Sequence, residues 1–407
     1  MNILIIAPYY TPDLGPSAPL FSMLSKALLQ RGHQVTVVAM VPHYPSGQVL
    51  PAYRGKWIQK TVEQGVKVVR IGIPSIDRKK LSKRLVQFAY YQIGATLASF
   101  NQKFDAAIIT APFVTSLLPF IRHGIMRHKP IIMSIHDVYP DVGIKLGVFK
   151  HKLLIATVGW LESFCLKHST CVRILSDSFR PGVRALGVPD NKITIIYDWV
   201  DTELIQPFPK DNAFSRENHL SDKFVVLYAG NIGLSQGLEH ILAAAELLSD
   251  QDNMRFVFVG DGAGKEYLQT QSRHRKLSNV QFIPFQPRER LPEVLASADI
   301  SLIILRRGIG FDSLPSKTYS IMASGRPIVV SIDEESETWK LINKADAGVW
   351  VPPEDPSRLA DAILTLKQDT NLSKHLGHNG RIWAEQNHSP QNAAAQFEML
   401  INKAVAK

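Results

Sequence analysis

The chain has 407 residues, of which 45% are hydrophobic and 20% charged, and its formal net charge at pH 7 is +10. This composition excludes disordered, collagen-like and polytopic membrane proteins, and the length predicts two domains. Two cysteines, Cys165 and Cys171, are too few for a disulfide framework or a zinc site with four cysteine ligands, so we expect a reducing, cytosolic compartment.

The positive charge is concentrated in the first half of the chain. Residues 1–200 contain 24 Lys and Arg against 10 Asp and Glu, a net +14, which leaves −4 for residues 201–407. This asymmetry predicts that the first half contacts a polyanion, either nucleic acid or an anionic membrane surface. Because no basic motif interleaved with aromatic residues is present, we expect the membrane and no nucleic acid.

Short apolar runs rich in Ile and Val alternate with helical segments along the chain. The first run, NILIIA, follows no basic region, so we predict a buried strand and not a signal peptide. Seven runs fall in the first half and six in the second. Such runs are typical of strands buried on both faces of a parallel sheet. The sequence therefore predicts an α/β protein with two Rossmann-like domains facing each other across a cleft.

The domain boundary is predicted near residue 203, where the apolar periodicity is lost and Pro, Asp and Asn accumulate. The first domain then covers residues 1–203, and the second covers 204–387. The last segment, about 388–407, is expected to form a helix that packs back on the first domain. Since parallel sheets bind ligands at the carboxyl ends of their strands, we expect the active site in the cleft.

A basic segment precedes an uncharged stretch of 18 residues, 85–102. The basic side chains are those of Arg78, Lys79, Lys80, Lys83 and Arg84. The stretch is too polar for a membrane span, and we predict a helix that lies in the interface of an anionic membrane. The alternative is a core helix whose first turn carries solvated lysines.

Glycine-containing turns follow three of the predicted strands. Gly15 follows the first strand, Asn231, Gly233 and Gln236 follow FVVLYAG, and Asp261 lies in the VGDGAG turn. Glycine lets the backbone approach a ligand, and the N-terminus of a following helix offers free N–H groups to an anion. The turns of the second half predict a diphosphate-binding surface, although neither matches a dinucleotide or Walker A fingerprint. Gly15 is equally compatible with a tight turn.

The segment 306–327 is the most informative one. We predict a helix from about Pro315 to Ala323 with Ser313 as its N-cap. The positive end of this helix, together with Lys317 and Arg306, is suited to neutralising a leaving diphosphate. The alternative is a capped helix with solvated basic residues.

The order of these motifs resembles glycosyltransferase family 4, and more narrowly the members that build bacterial exopolysaccharides and O-antigens. The motifs are PHYPSG at 42–47, HDVYPD at 136–141, DWVD at 198–201, YAGNIG at 228–233, VGDGAG at 259–264 and PSKTYSIMASGRP at 315–327. The resemblance implies a GT-B fold and retaining transfer of a sugar from a nucleotide donor that the second domain binds. It also implies that no cofactor and no essential metal are needed.

The resemblance suggests roles for individual residues. His136 occupies the place where many members keep a histidine near the donor sugar, and Asp137 beside it would orient the imidazole. The alternative is that both residues cap the strand and the next turn. Pro284 and Phe285 match the place where the nucleotide base meets the protein, and Ser316 precedes Lys317 in the most specific motif.

Some positions depart from the family pattern. Asn231 and Gln236 stand where many members have an Arg and a Lys that hold the diphosphate, so Lys317 and Arg306 are expected to replace them. The Glu-x7-Glu pair of the family falls on Asp312 and Ser320, and Ser320 offers the ribose only a short, neutral contact.

We thus predict a retaining, metal-independent hexosyltransferase, cytoplasmic and peripheral at the inner membrane. It would move a sugar from a UDP- or GDP-linked donor to a lipid-linked or saccharide acceptor in exopolysaccharide or lipopolysaccharide synthesis. Asp250 and Asp252, which form the Asp-x-Asp of the chain, precede a strand and are expected in a surface loop. The alternatives are a hydrolysing nucleotide-sugar 2-epimerase and a catalytically silent subunit that binds sugar nucleotide or membrane.

Overall fold

The computed structural model describes residues 1–77, 81–139, 151–233, 236–309 and 314–406. They form two compact units, unit 1 with Met1–Asp198 and Pro390–Lys407, and unit 2 with Trp199–Ser389. The units divide between Asp198 and Trp199, whereas the sequence analysis placed the boundary after residue 203.

Unit 1 contains an eight-stranded sheet. Its strands are β1 (Asn2–Ile6), β2 (Gln34–Met40), β3 (Ile58–Glu63), β4 (Val66–Ile71), β5 (Ala106–Thr110), β6 (Ile131–Ser134), β7 (Cys171–Ile174) and β8 (Ile193–Ile195). Their order in the sheet is β3-β4-β2-β1-β5-β6-β7-β8. All neighbours are parallel except β3 and β4, which pair antiparallel from Ile58 opposite Ile71 to Glu63 opposite Val66.

The edge strand β3 is the one strand of this sheet that the sequence analysis missed. Its sequence, IQKTVE, is polar and largely exposed, whereas the other strands are apolar and mostly buried. Charged side chains on an edge strand discourage pairing with another chain. A search for continuous apolar runs therefore passes over such a strand.

The helices of unit 1 pack on the sheet. They are α1 (Ala18–Gln30), α2 (Leu81–Ser99), α3 (Phe113–Phe120), α4 (Lys152–His168) and α5 (Arg180–Ala185). In α1, Phe21, Leu24 and Leu28 recur at helical spacing and are completely buried. Within the described part of the chain, none of the helices combines the length and the apolar character that crossing a membrane requires.

Unit 2 contains a six-stranded, fully parallel sheet. Its strands are β9 (Phe224–Ala229), β10 (Met254–Val259), β11 (Val280–Ile283), β12 (Ile300–Ile304), β13 (Ile328–Ser331) and β14 (Gly348–Val351). The order β11-β10-β9-β12-β13-β14 changes direction between β9 and β12. In open α/β sheets, ligands bind at the carboxyl ends of the strands beside such a switch point.

The helices of unit 2 pack on this sheet, and the last helix of the chain returns to unit 1. Those of unit 2 are α6 (Ala213–Glu217), α7 (Glu239–Leu247), α8 (Lys265–His274), α9 (Leu291–Ala296), α10 (Lys317–Ala323), α11 (Glu337–Lys344), α12 (Pro356–Gln368) and α13 (Thr370–Asn387). The last helix, α14 (Pro390–Val405), packs against α1, where Arg31 Nε donates to Glu398 Oε2 at 2.6 Å.

Candidate active site

Two glycine loops of unit 2 contact each other at the carboxyl ends of β9 and β10. The N–H of Ile232 donates to the carbonyl of Asp261, and the N–H of Gly264 donates to the carbonyl of Ile232, both at 2.8 Å. Gly260 has φ +150, and a Cβ there would lie 2.0 Å from the carbonyl oxygen of Gly230. Only glycine fits at this approach, so the two loops form one surface of backbone groups.

Several predicted donor-site residues lie on this surface. A Cβ on Gly233 would lie 2.7 Å from Gln236 Oε1 and 2.8 Å from Asn231 Nδ2, so both amides pack beside that glycine. Gln236 Oε1 is buried and has no hydrogen-bond partner among the described residues. A buried carbonyl oxygen without a partner is costly unless a ligand or water satisfies it. Asp261 is exposed, and its Oδ1 accepts the N–H of Gly262 at 2.8 Å.

Lys317 lies next to the same surface. Its Nζ is 3.9 Å from the centroid of the Tyr228 ring, and the Tyr228 hydroxyl donates to the carbonyl of Asn231 at 2.8 Å. Among the described residues, no carboxylate forms an ion pair with Lys317. Burial lowers the pKa of this lysine to about 7. An ammonium that lacks a counter-charge, beside exposed backbone loops, is suited to binding an anion.

The helix that carries Lys317 starts later than predicted. α10 begins at Lys317 and not at Pro315, and its N-cap residue is Ser316, whose side chain makes no capping hydrogen bond. Ser316 is exposed, and Ser320 lies half-buried within the helix. The predicted N-cap Ser313 and the predicted donor residue Asp312 lie outside the described residues.

Arg306 is placed differently from Lys317. It follows β12, and its guanidinium forms an ion pair with the carboxylate of Glu239, the first residue of α7. Glu239 therefore offsets the positive charge of Arg306, which the sequence analysis expected to bind the diphosphate. A phosphate at Arg306 therefore competes with Glu239, which leaves Lys317 as the stronger candidate for the anion site.

Pro284 and Phe285 follow β11, the neighbour of β10, and so lie at the same edge of the sheet. The Phe285 side chain is 74% exposed. An uncovered aromatic ring at a ligand-binding edge offers a flat surface on which a nucleobase can stack.

In unit 1, the predicted catalytic residue His136 follows β6. Its Nε2 is 3.5 Å from the Ser134 hydroxyl, and its ring meets Phe21 edge-on with centroids 5.7 Å apart. Burial, aided by the positive charge of Arg173, lowers the pKa of His136 to about 4, although the carboxylate of Asp198 acts in the opposite direction. The imidazole is therefore neutral at pH 7 and serves as a hydrogen-bonding group.

The residues around His136 are not those that the sequence analysis named. Asp137 is exposed and shows no hydrogen bond to His136 within the described residues. Instead, the completely buried Arg173 of β7 donates to Asp198 Oδ1 at 2.8 Å and contacts the Ser134 hydroxyl at 3.4 Å. An arginine inside the apolar run CVRILS was the signal in the sequence, since a buried charge needs a partner.

Gly15 belongs to unit 1 and to a different environment from the glycines above. Its N–H donates to Asp13 Oδ1 at 2.9 Å, and a Cβ there would lie 2.4 Å from the Tyr9 ring. The other carboxylate oxygen of Asp13 accepts the N–H of His43 at 3.1 Å. Gly15 thus allows close packing of the loops after β1 and β2.

Helix α2 has an unusual distribution of side chains. Its exposed side carries Val86, Tyr90, Ile93 and Leu97, and Phe100 follows at the helix end; all five are between 44% and 51% exposed. We call these five residues the α2 ridge. Residues on the opposite side, such as Gln87 and Gly94, are buried. Tyr91 and Ala95 on that side pack in the core, so α2 carries apolar side chains on both sides, and an exposed apolar stripe of this length is uncommon on a water-facing surface.

The predicted membrane-contact residues lie at the start of this helix. Lys83 is exposed, whereas Arg84 is half-buried and its Nε has no hydrogen-bond partner among the described residues. Arg78, Lys79 and Lys80 lie outside the described residues.

Acidic side chains that could hold a metal are sparse in the part of the chain that the structure describes. It contains no group of three or more His, Cys, Asp or Glu residues arranged to bind a metal ion. Asp250 and Asp252 are exposed in a turn just before β10, at the end of the sheet opposite the glycine loops.

Family models and curated relatives match both units of the chain. A family model described as Glycosyltransferase Family 4 matches residues 21–204, and one described as Glycosyl transferases group 1 matches residues 209–383. The chain is 27% identical to a protein of Escherichia coli (strain K12) that is named as the colanic acid biosynthesis glycosyl transferase WcaI. The similarity covers 98% of each chain.

Solved structures show the same fold over the full length. Sucrose-phosphate synthase from Thermosynechococcus elongatus has a TM-score of 0.74 at 17% identity and covers 100% of this chain and 99% of its own. Anabaena HepE in complex with UDP has a TM-score of 0.73 at 16% identity and covers 99% of this chain and 100% of its own. The chain therefore has the GT-B fold and belongs to glycosyltransferase family 4.

Proposed function

We propose that this glycosyltransferase moves a hexose from a UDP- or GDP-linked donor to a lipid-linked saccharide, with retention of the anomeric configuration, in cell-surface polysaccharide synthesis. The main support for the proposal is the position of Lys317 beside the glycine loops, at the switch point of the unit 2 sheet. Among the described residues, its ammonium has no carboxylate partner. The names of WcaI, which refers to colanic acid biosynthesis, and of HepE with UDP support the product class and the donor.

The donor diphosphate would bind across the two glycine loops, with Lys317 as its counter-charge. As the bond between the sugar and the diphosphate breaks, negative charge grows on the phosphate oxygens, and an ammonium fixed nearby stabilises that charge more than the ground state. The acceptor hydroxyl forms the new bond on the same face of the sugar, and its proton passes to an oxygen of the departing diphosphate. The amide of Gln236, whose Oε1 lacks a partner among the described residues, would accept a hydrogen bond from the donor.

Neutral His136 suits a hydrogen bond to a sugar hydroxyl, because its pKa of about 4 keeps it from carrying charge at pH 7. Arg173 and Asp198 would act as positioning residues through Ser134, which contacts both Arg173 and the imidazole. The proposed reaction needs no cofactor and no metal, since Lys317 and backbone N–H groups supply the positive potential at the diphosphate.

We further propose that the enzyme works at the cytoplasmic face of the inner membrane. The α2 ridge supplies apolar side chains for the bilayer interface, and Lys83 at the start of α2 supplies a cation for anionic headgroups. The excess positive charge of residues 1–200 favours the same partner.

A transfer assay tests the proposal. Purified protein is mixed with each candidate nucleotide sugar and a detergent-solubilised extract of bacterial glycolipids, and nucleotide release and product anomer are measured with and without EDTA. We expect acceptor-dependent release, an unchanged anomeric configuration and no effect of EDTA. Isomerisation of the donor without acceptor would indicate an epimerase, and binding without any reaction would indicate a silent subunit.

A further inference from the structure

Unit 1 contains a pocket that none of the roles above uses. It has a volume of about 380 Å³ and lies beside the carboxyl ends of β2 and β4, within unit 1. The residues that line it include the aromatic Tyr53, Trp57 and Tyr90 and the basic Arg54 and Lys56. The pocket is thus at the edge of the sheet where α/β folds bind ligands.

The aromatic wall is held in place by backbone contacts. The N–H of Gly72 donates to the carbonyl of Trp57 at 2.6 Å, which anchors this residue to the end of β4. A Cβ on Gly94 would lie 3.5 Å from Trp57 Nε1, so the indole rests against α2. Trp57 and Tyr90 nevertheless remain 48% and 49% exposed. Two large, half-exposed aromatic rings form an apolar surface whose hydration is unfavourable.

The charge of the pocket is entirely positive. Arg54 Nε donates to the carbonyl of Val49 at 3.0 Å, which anchors this side chain to the segment after β2. No acidic side chain lines the pocket, and among the described residues neither Arg54 nor Lys56 takes part in an ion pair. Two cations without counter-charges beside an apolar wall fit a ligand that is anionic at one end and apolar at the other.

The pocket continues into the α2 ridge, because Tyr90 belongs to both. From Val86 to Leu97 the ridge extends about 16 Å along the helix, at the usual rise per residue. An apolar chain leaving the pocket therefore meets further exposed apolar side chains rather than water. We propose that this pocket binds a phosphate-bearing lipid, with the phosphate at Arg54 and Lys56 and the hydrocarbon chain along Trp57, Tyr90 and the α2 ridge.

This inference rests on the proposed function, since a lipid-linked acceptor is a molecule of this chemistry. It adds the site and assigns the phosphate recognition to Arg54 and Lys56. Binding of the lipid can be measured without any sugar transfer, so the failure of one proposal is distinguishable from the failure of the other.

The test uses the full chain and vesicles of phosphatidylcholine, with or without a polyprenyl monophosphate, and measures the bound fraction by co-sedimentation. The double variant Arg54→Gln/Lys56→Gln removes both cations. Its matched control is Lys103→Gln/Arg358→Gln, which removes the same charge from two exposed side chains that line neither the pocket nor the ridge. Inorganic phosphate in solution is added as a competitor.

We expect polyprenyl phosphate to raise the affinity of the wild-type protein for the vesicles, and the control variant to bind equally well. The pocket variant should lose about fivefold in affinity for each cation removed. Bromine on the lipid chains should quench the fluorescence of Trp57, and Trp57→Phe should remove that part of the quenching. A thermal shift by the nucleotide donor, equal in wild type and pocket variant, shows that the variant is folded.

Three results would overturn the proposal. The first is equal binding to vesicles with and without polyprenyl phosphate. The second is a pocket variant that binds like the control. The third is complete displacement by inorganic phosphate, which would mean that the pocket recognises a phosphate group without its lipid.

Discussion

The ammonium of Lys317 lies 3.9 Å from the centroid of the Tyr228 ring, and the hydroxyl of that ring is bonded to the carbonyl of Asn231. Tyr228 thus connects the cation to the glycine loop. The ring face attracts the ammonium, but no carboxylate among the described residues neutralises it, and burial lowers its pKa to about 7. In the proposed function, a bound diphosphate would supply the missing negative charge, which would couple donor binding to the protonation of Lys317.

Donor affinity should therefore depend on pH above neutrality. Free Lys317 loses its proton as the pH rises through about 7, whereas the complex keeps the ammonium, so binding takes up a proton at higher pH. We expect the affinity for a nucleotide sugar to fall by up to about tenfold per pH unit above that point. Lys317→Arg, which stays charged, should give a flat profile. Calorimetry between pH 6 and 9 checks this, and a flat wild-type profile would contradict it.

Replacing His136 should slow transfer and spare nucleotide affinity. His136→Gln keeps a hydrogen-bonding side chain but changes its reach, and we expect turnover to fall by at least about tenfold. The Kd for the nucleotide should change less than twofold, because the described contacts of His136 are with Ser134 and Phe21 in unit 1. If His136 only caps its strand, the variant loses stability while kcat of the folded protein stays unchanged.

The close approach of the two glycine loops predicts a stability difference between two glycines of unit 2. Gly260→Ala places a Cβ 2.0 Å from the carbonyl oxygen of Gly230, whereas Gly308→Ala, also at positive φ, meets nothing within 4 Å. In both variants an alanine has to adopt a positive φ, but only in Gly260→Ala does the new Cβ clash with another part of the backbone. Urea unfolding should show Gly260→Ala to be less stable than Gly308→Ala by roughly 1–3 kcal/mol. Equal stabilities would mean that the loops are not in contact.

A buried carboxyl group in unit 1 should make the protein less stable at neutral and alkaline pH than at pH 4. Glu162 of α4 is 1% exposed and accepts the N–H of Phe113 at 2.8 Å, and burial raises its pKa to about 7. The folded state holds this proton more tightly than the unfolded state, so stability from this group falls as the pH rises from 4.5 to about 7.

Glu162→Gln should therefore be more stable than wild type at pH 8, by up to roughly 3 kcal/mol, and equal to it at pH 4. Denaturant unfolding at the two pH values measures the difference. The exposed Glu335→Gln serves as the control and should change little at either pH. A Glu162→Gln variant that is less stable at pH 8 would show that the carboxylate is stabilising in its ionised form.

Much of this architecture is predictable from the sequence, because buried parallel strands leave continuous apolar runs. The seven runs of the first half and the six of the second all became strands, while the polar edge strand β3 left no such signal. The motif at 315–327 singles out Lys317 as a candidate for the anion site, and that role stays a prediction. Local patterns do not encode contacts between distant parts of the chain. Such contacts pair Lys317 with Tyr228, Arg306 with Glu239, and Arg173 with Asp198.

The central claim is that unit 2 binds a nucleotide diphosphate at Lys317. A thermal-shift experiment on the wild type and on Lys317→Ala tests this binding most directly, because a ligand that binds only the folded state raises the apparent stability of the protein. The ligands are UDP, GDP, dTDP and ADP and their sugar conjugates. Lys344→Ala is the matched control, an exposed lysine of the same unit whose Nζ lies 5.5 Å from the centroid of the Trp383 ring.

We predict that UDP or GDP and its conjugates stabilise wild type and Lys344→Ala, and that Lys317→Ala loses most of the shift, with affinity reduced by about 100-fold. Absence of a shift in folded wild-type protein, or an equal shift in Lys317→Ala, would contradict the assignment.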